Sequence, residues 1–425
     1  MSSTSSFPDL MVDIGGVRLL ALADQFGTPL YVYDAASIER RVTELSMFDV
    51  IRYAQKACSN LAIIDLIRQR GCLVDTVSAG EIGRALAAGY LPGGDPPSIV
   101  YTADIFDRPS LDLVSQHGIH VNCGSPDMID QYGARAPGES ITLRINPGFG
   151  HGHSRKTNTG GEQSKHGIWH EQLGEAVTRA GRYGLRVEGL HMHIGSGTDM
   201  EHLGRVCAAM EEAARAVGGG LRSISAGGGL PVPYRSGEPP IDLPAYHAAW
   251  DATRRRLEAD FGHAVRLEIE PGRYLVAESG TLITEIRAIK QMGENTFYLV
   301  DAGFNNLARP VLYGAYHPMA IGVAPDEPSG VRSVRPVVVG GPLCESGDIF
   351  TQQEGGFVAP RELPAAEVGD RLVIQCAGAY GFGMSSNYCS KPFCAEVLVR
   401  DGQAHLIRRR QELDDLMRDE QIPGQ

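Results

Sequence analysis

Short apolar runs alternate with longer amphipathic stretches through the first two thirds of the chain. The apolar runs predict strands at residues 50–57, 73–78, 99–104, 120–123, 141–147, 187–194, 223–226 and 266–270. Helical spacing fills the stretches between them, such as 79–90 and 200–217. Strands that are apolar along their length are typical of a buried parallel sheet. About eight strand–helix units in one run favour a TIM-like (β/α)₈ barrel, because a doubly wound sheet rarely contains so many.

The pattern changes after residue 276, where strand follows strand. The predicted strands there are residues 281–291, 297–302, 335–340, 371–377, 395–400 and 403–409. Helical periodicity returns only in the tail, at 411–420, and at the other end of the chain it predicts a helix at 17–26 before a strand at 29–34. We therefore expect an all-β domain after the barrel.

Composition and net charge limit the classes of function that the chain could have. The chain has 425 residues, 43% of them hydrophobic and 21% charged, which is typical of globular proteins. The net charge of −12 argues against a nucleic-acid or anionic-membrane surface, although a local basic pocket for a small anion remains compatible with it. The polar start of the chain suggests no export signal. The eight cysteines form no CxxC pair, so we expect reduced thiols and a cytoplasmic location.

Candidate chemistry lies at the carboxyl ends of the predicted barrel strands, where barrel enzymes place their active sites. Lys56 ends the first strand, just before the helix-capping residues Ser59 and Asn60. Asp75 lies in the second strand, and Glu81 opens the helix after it. On its own, such a lysine is more often a solvated surface charge than a catalytic group.

A glycine run, Gly227 to Gly229, follows the seventh predicted strand. Its backbone amides could approach an anion closely, and barrels often bind phosphate with the loops after strands 7 and 8. Arg273 would supply a cation and Ser196 a hydroxyl for the same anion. The alternative for the glycine run is a plain flexible turn.

His191 and His193 alternate along the sixth predicted strand, so both imidazoles should face one side. They could bind a metal, as in barrel hydrolases, or one ring could stack on a cofactor ring. A pair of packed, hydrogen-bonded histidines is the third interpretation. The fourth and fifth strand ends offer no obvious histidine to complete a metal site, so we expect none.

Glu270, at the end of the eighth predicted strand, connects these features. A carboxylate beside a pyridine nitrogen keeps that nitrogen protonated, and a lysine amine in a desolvated pocket can form a Schiff base. The combination of a lysine, a phosphate cradle, a stacking histidine and an acidic residue is typical of a site for pyridoxal 5'-phosphate. The alternative for Glu270 is a structural ion pair with a neighbouring arginine.

With these residues in hand, the chain resembles the alanine racemase-like (fold type III) pyridoxal-phosphate decarboxylases over nearly its whole length. The motifs that carry the resemblance are YAQKACSN, VDTVSAGE, LRINPG, SKHGI, HMHIGSG, SAGGGLPVPY, EIEPGRYLV, VDAGF, GPLCESGD and GAYG. The resemblance implies an N-terminal segment, residues 1–34, that packs with a C-terminal β-sandwich or β-barrel domain, residues 279–425. Residues 35–278 would form the pyridoxal-phosphate barrel, in a homodimer whose active sites are completed by both subunits.

The resemblance also implies a role for each matching residue. Lys56 matches the Schiff-base lysine, His193 the ring-stacking histidine and Glu270 the partner of the pyridine nitrogen, which Asp75 and Glu81 support. The residues that match cofactor phosphate contacts and their neighbours are Ser196, Gly228, Gly229, Gly272, Arg273 and Tyr380. Cys344 and Glu345 match catalytic residues that reach in from the partner subunit. The residues that match substrate contacts are Arg273, Arg309, Tyr313, Glu345 and Tyr380.

The expected reaction is decarboxylation of meso-2,6-diaminopimelate to L-lysine and CO₂, the last step of lysine biosynthesis. That substrate has an amino acid group at both ends, and Arg309 with Glu345 would bind the far carboxylate and ammonium. The alternative is a decarboxylase of D-lysine, ornithine or arginine on the same fold. From other classes, a silent regulatory homologue and a metal-dependent hydrolase remain as hypotheses.

Two features stand apart from this pattern. The loop 151–165 is basic and glycine-bearing, and we expect it to act as a lid over an anionic substrate rather than as a plain flexible loop. Cys376 stands before AGAYG, where many relatives have an aspartate, which puts in doubt a role of that position in orienting Tyr380.

Overall fold

A computed structural model describes residues 7–150, 159–193, 199–327 and 332–423. In chain order its strands are β1 (Leu10–Met11), β2 (Asp13–Ile14), β3 (Val17–Arg18), β4 (Leu30–Asp34), β5 (Val50–Ala54), β6 (Leu73–Thr76), β7 (Ile99–Ala103), β8 (His120–Cys123), β9 (Ser140–Asn146), β10 (Ile168–Trp169), β11 (Arg186–His191), β12 (Ser223–Ser225), β13 (Arg266–Ile269), β14 (Gly280–Met292), β15 (Asn295–Val300), β16 (Met319–Gly322), β17 (Val334–Gly340), β18 (Arg361–Pro364), β19 (Arg371–Ile374), β20 (Ala395–Arg400) and β21 (Gln403–Arg408).

The α-helices lie mostly in the first two thirds of the chain. They are α1 (Leu19–Phe26), α2 (Ala35–Glu44), α3 (Leu61–Gln69), α4 (Ala79–Ala87), α5 (Arg108–His117), α6 (Pro126–Arg135), α7 (Leu173–Arg182), α8 (Met200–Val217), α9 (Leu243–Phe261), α10 (Arg273–Val276), α11 (Arg309–Tyr313) and α12 (Leu413–Met417). Within the described ranges, no helix combines the length and apolar character that crossing a bilayer requires.

The chain divides into two compact units. The β-sheet unit comprises the residues up to Ile38, residues 232–240 and the residues from Val276 onward. The barrel unit comprises residues 39–231 and 241–275. The domain limits predicted from the sequence, 1–34, 35–278 and 279–425, stay a prediction.

The barrel unit is a closed ring of eight parallel strands, as predicted. Its strands follow one another around the ring in the order β5, β6, β7, β8, β9, β11, β12 and β13. Pairing of Glu268 and Ile269 with Val50 and Ile51 closes the ring between β13 and β5. Because all eight strands are parallel, their carboxyl ends meet at one rim, where barrel enzymes place their chemistry.

Polar side chains cap most of the helices that begin at this rim. In these caps the side chain accepts a backbone N–H of the first helical turn, which stabilises the helix start. The capping residues are Asn60, Ser78, Asp107, Ser125, Asp199 and Asp242. Asn60 was predicted as a cap, and its Oδ1 accepts the N–H of Ala62 at 3.0 Å.

The β-sheet unit is built around the long strand β14, which pairs with β15, β19 and β4. One branched sheet of ten strands extends from it and also contains β1, β16, β17, β18, β20 and β21. The N-terminal segment therefore contributes two strands, since β1 pairs with β16 and β4 lies between β14 and β20. Apolar side chains of β4, β14, β19 and β20 form a core on this sheet.

Several elements of the structure differ in length from those that the sequence predicts. The predicted helix 17–26 starts two residues late, because Val17 and Arg18 pair with β2. The predicted tail helix 411–420 is limited to α12. The strands β1, β2, β16 and β18 were not predicted, since two to four residues carry too little alternation to be distinguished from a loop.

Candidate active site

Lys56 lies at the carboxyl rim of the barrel, in a short 3-10 turn formed by Gln55–Ala57. β5 ends two residues before it, so the predicted strand 50–57 was wrong in its last three residues. The turn is stabilised by Gln55, whose Nε2 donates to the backbone carbonyl of Glu81 at 3.1 Å. Lys56 is exposed while its two neighbours in the turn are buried, so the amine is presented to the rim.

Gly272 packs against the turn that carries Lys56. A Cβ atom at Gly272 would lie 3.1 Å from the carbonyl oxygen of Ala54 and 3.2 Å from Cβ of Ala57. The carbonyl of Pro271 accepts the N–H of Ala54 at 3.1 Å. The segment after β13 therefore supports the lysine turn at a distance that only glycine allows without a shift.

Asp75 in β6 and Glu81 in the first turn of α4 surround Lys56 with carboxyl groups. Burial raises the pKa of Asp75, the charge of Glu270 raises it further, and the charge of Lys56 opposes both effects. Burial also raises the pKa of Glu81, against the N–H of Val77 and the charge of Lys56. These electrostatic effects place the amine of Lys56 close to both carboxyls.

Glu270 directly follows β13 and is buried. Its Oε2 lies 2.7 Å from Nε2 of His191, and its Oε1 accepts from Oγ of Ser225 at 3.2 Å. Burial alone would raise the pKa of Glu270, but the charge and hydrogen bond of His191 outweigh it and hold the pKa at about 2. The contact with His191 therefore favours the ionised form of Glu270 at the base of the site.

His193 lies two residues beyond the end of β11. Its Nδ1 is 2.8 Å from the backbone N–H of Gly228, which can only donate, so Nδ1 accepts. Burial lowers the pKa of His193 well below its usual value, and the charges of Arg144 and Lys56 lower it further. The ring is thus neutral, with its proton on Nε2. It lies 6.5 Å from the ring of His191 at an interplanar angle of 22°, so both imidazoles face one side, as predicted.

The glycine run follows β12. Gly229 has a left-handed backbone, with φ of 93°, and a Cβ atom at Gly228 would lie 2.5 Å from the carbonyl oxygen of Glu270. The backbone here approaches its neighbours as closely as an anion cradle requires. Arg273 begins α10 and is half-buried. Ser196, the predicted hydroxyl, lies outside the described residues.

Arg144 is a buried cation of β9 to which no role was assigned from the sequence. Burial lowers its pKa, and the carboxylates of Asp104, Glu270 and Asp75 oppose this shift, so its charge lies among them. An arginine between the apolar residues Leu143 and Ile145 of a predicted buried strand was the signal that could have identified it. A buried arginine in a barrel strand needs such anionic neighbours.

The loop 151–165 is described only from residue 159. Oδ1 of Asn146 accepts the N–H of Gly161 at 2.9 Å, and Asp104 accepts from Nδ1 of His166 at 2.7 Å. These contacts tie the descending end of the loop to the rim. Residues 151–158 lie outside the described residues, so the predicted lid stays a prediction.

The remaining predicted residues belong to the β-sheet unit. Arg309 and Tyr313 begin and end α11, and Arg309 is buried. Cys344 and Glu345, of the motif GPLCESGD, are exposed in a turn after β17. Asp348 of the same motif organises that turn, because its carboxylate accepts the N–H groups of Leu343 at 2.8 Å and Phe304 at 2.7 Å.

Tyr380 and Cys376 stand at two turns of the segment that follows β19. Both have a left-handed backbone, with φ of 57° and 54°. Cys376 is buried and Tyr380 is half-buried. A positive φ is uncommon for a residue other than glycine, so the backbone at both positions departs from its ordinary range.

The barrel rim fits pyridoxal phosphate. Oδ1 of Asp75 and Nδ1 of His191 are buried and have no hydrogen-bond partner among the residues that the structure describes, which costs free energy unless another group provides one. The ionised Glu270, the neutral ring of His193 and the glycine run supply what a protonated pyridine ring with a phosphate needs. Among the described residues, no three potential metal ligands converge.

Comparison with known proteins agrees with this fit. Residues 35–277 match the family described as pyridoxal-dependent decarboxylase, pyridoxal binding domain. The chain is 55% identical to the diaminopimelate decarboxylase of Streptomyces coelicolor, over 99% of this chain and 96% of that protein. A crystal structure of a diaminopimelate decarboxylase, 54% identical, superposes with a TM-score of 0.91 over 94% of this chain and 95% of that chain.

A more distant structure has the same fold. The diaminopimelate decarboxylase from Helicobacter pylori, solved in complex with L-lysine, is 31% identical, with a TM-score of 0.81 over 94% of this chain and 98% of that chain. The barrel with its separate β-sheet domain is thus shared along nearly the whole length. The chain therefore belongs to the diaminopimelate decarboxylase family of pyridoxal phosphate-dependent carboxy-lyases.

Proposed function

We propose that this chain decarboxylates meso-2,6-diaminopimelate to L-lysine and CO₂, the last step of lysine biosynthesis. The observation that carries the proposal is the arrangement at the barrel rim, where Lys56 stands near an ionised Glu270 and a neutral His193. The high identity to relatives named for this reaction supports the choice of substrate. The L-lysine bound to the Helicobacter pylori relative supports the choice of product.

Pyridoxal phosphate, when bound, supplies an electron sink for the electron pair that remains as CO₂ departs. In this proposal Lys56 binds the cofactor covalently through its amine. Glu270 would hold a proton at the pyridine nitrogen, because the charge and hydrogen bond of His191 lower its pKa and favour the carboxylate. His193 offers a neutral aromatic face to the cofactor ring.

In this proposal, backbone amide, guanidinium and hydroxyl groups hold the phosphate end. Gly229 offers a backbone amide, Arg273 a guanidinium, and Ser196 and Tyr380 hydroxyls, while Gly228, whose own N–H donates to His193, lets the backbone come close. Charge-assisted hydrogen bonds of this kind fix the orientation of a phosphate. These residues would thus hold the cofactor at its phosphate, and Glu270 would hold it at its ring nitrogen.

The substrate is held by its far end in this proposal. Arg309 binds the far carboxylate, Glu345 binds the far ammonium, and Tyr313 closes the pocket between them. A guanidinium can hold a carboxylate bidentately, which favours a substrate with a carboxylate at this end over a plain diamine precursor. After CO₂ has left, Cys344 or Lys56 returns a proton at Cα.

We further propose a homodimer whose active sites are shared across the interface, with Cys344 and Glu345 supplied by the other subunit. Both residues are exposed in this chain, as such a role requires. We also propose a cytoplasmic location, where its eight free cysteines would stay reduced.

The substrate assignment is tested by product analysis with the wild-type enzyme. We expect L-lysine and CO₂ from meso-2,6-diaminopimelate, and a kcat/KM at least about a hundredfold lower for D-lysine, ornithine and arginine, because these leave Arg309 without a far carboxylate. Chiral chromatography of the product and CO₂ release provide the measurement. Preferred turnover of one of the other three amino acids would favour the alternative decarboxylase.

The glycine cradle is tested by Gly228→Ala. A Cβ atom there would lie 2.5 Å from the carbonyl oxygen of Glu270 and 3.0 Å from Cε1 of His193. We expect the dissociation constant of pyridoxal phosphate to rise about tenfold, since overpacking costs about 1–3 kcal/mol. Titration of the apoenzyme by visible absorbance measures this. The matched control is Gly219→Ala, where a Cβ atom meets nothing within 4 Å, and equal affinities of the two variants would contradict the cradle.

A further inference from the structure

We propose that His317 and Tyr234 are positioning residues for Arg309, and that through it they set the preference for a substrate with a far carboxylate. The inference rests on the proposed function, because Arg309 is the group that would bind that carboxylate. All three residues belong to the β-sheet unit, Tyr234 through the segment 232–240.

Arg309 is a buried cation that neutral groups hold in place. Its side chain is 6% exposed, and its Nη1 donates to Nε2 of His317 at 3.0 Å and to Oη of Tyr234 at 3.2 Å. Its Cζ also lies 5.2 Å from the centre of the Tyr234 ring. No carboxylate of the described ranges forms an ion pair with Arg309. A buried guanidinium with neutral partners keeps its charge available for an anionic ligand group.

These contacts define the tautomer of His317. A guanidinium has only donors, so Nε2 of His317 must accept and carries no proton. Nδ1 of His317 lies 3.1 Å from the carbonyl oxygen of Gln375, which can only accept, so Nδ1 carries the proton. Gln375 directly follows β19, and the imidazole therefore links Arg309 to the ten-stranded sheet.

The surroundings of His317 keep it neutral. Its ring is fully buried, the guanidinium of Arg309 contacts its Nε2, and the guanidinium of Arg361 donates to its backbone carbonyl. The ring of Tyr234 packs edge-on at 5.6 Å. A second positive charge at His317 would be repelled by both arginines, and it would remove the acceptor that Arg309 needs.

The orientation of Arg309 suits carboxylate binding. Its contacts with Tyr234 and His317 engage Nη1, so the edge formed by Nε and Nη2 keeps the fork that matches a carboxylate. A free arginine side chain loses rotamer entropy when it is immobilised. His317 and Tyr234 impose that order before the ligand arrives, which strengthens binding of the carboxylate.

The test compares two competitive inhibitors of the holoenzyme that differ in one group. L-lysine retains the far carboxylate of the proposed substrate, whereas cadaverine has the same carbon chain without it. We expect His317→Phe to raise the Ki of L-lysine and the KM of meso-2,6-diaminopimelate about tenfold, as expected for a lost hydrogen bond to a charged group. The Ki of cadaverine and kcat should change less than about threefold.

Rescue and control variants separate positioning from general damage. His317→Gln keeps an acceptor near the place of Nε2, so it should recover most of the L-lysine affinity. Tyr234→Phe should have a smaller effect than His317→Phe, because the ring contact with Arg309 remains. His405→Phe, at an exposed position of β21, should alter neither inhibitor. Nitrogen-15 NMR should show the neutral Nδ1–H tautomer in the wild-type enzyme, assigned by its loss in His317→Phe.

The outcomes are distinguishable. Equal rises of both Ki values in His317→Phe, or a protonated His317 in the spectrum, would overturn the positioning role. Unchanged L-lysine affinity in His317→Phe would overturn it as well. A wild-type enzyme that binds L-lysine no better than cadaverine would instead contradict the proposed function, since the far carboxylate would then have no partner.

Discussion

Replacing Lys56 with alanine is expected to lower turnover by at least about a thousandfold while leaving the fold intact. Lys56 is exposed, and its turn is held by its buried neighbours Gln55 and Ala57, so the truncation removes the amine but little packing. L-lysine release measures the turnover. Borohydride treatment followed by peptide mapping should find the reduced cofactor on residue 56 of the wild-type chain and on no peptide of the variant.

Lys290→Ala is the matched control, because Lys290 is exposed on β14 and has no proposed role. It should keep wild-type turnover and labelling. Near-normal turnover of Lys56→Ala, with the thermal unfolding midpoint of the wild-type protein, would rule out the proposed mechanism.

The same variant tests whether the active site is shared. Lys56→Ala mixed with the double variant Cys344→Ala/Glu345→Ala should regain about a quarter of wild-type activity after subunit exchange, since half of the dimers would be mixed and each would hold one complete site. Two inactive parents that stay inactive when mixed would show that each subunit provides its own Cys344 and Glu345.

Much of the barrel could be predicted because its strands are buried on both faces. Such strands read as continuous apolar runs, and the eight predicted runs overlap β5 to β9 and β11 to β13. The end of the first run was wrong because residues 54–57, AQKA, contain no glycine or proline that would mark the end of a strand. The turn at Lys56 depends on a hydrogen bond from Gln55 to Glu81, which lies 26 residues further along the chain.

Residue type and position along the chain were enough to select Lys56, His193 and Glu270, but their ionisation states could not be predicted. The pKa of Glu270 depends on a hydrogen bond to His191 across 79 residues, and the tautomer of His193 depends on Gly228, 35 residues away. In the β-sheet unit, Tyr234 is the last residue of the motif SAGGGLPVPY, and His317 lies in none of the motifs that carry the resemblance. Their role emerges only where the fold brings both to Arg309.

Glu270→Gln is expected to lower kcat by about a hundredfold to a thousandfold, because glutamine has the same shape but no negative charge to hold a proton at the pyridine nitrogen. A ring nitrogen without its proton is a weaker electron sink. Single-turnover kinetics on enzyme saturated with pyridoxal phosphate measure the loss independently of cofactor affinity. Glu294→Gln is the control, because Glu294 is exposed in the turn before β15. This variant should keep the kcat of the wild-type enzyme.

The charge of Glu270 can also be tested through the pH dependence of the free energy of unfolding. Glu270 has a folded pKa of about 2, below its unfolded value of about 4.3, so the unfolded chain binds more protons between these limits. The ionised group therefore stabilises the fold above its unfolded pKa, and this contribution is lost as the pH falls through the folded pKa. Glu270→Gln should make stability fall less steeply between about pH 4.5 and pH 2. An unchanged acid limb, or a kcat within about threefold of wild type, would mean that another group carries the charge assigned to Glu270.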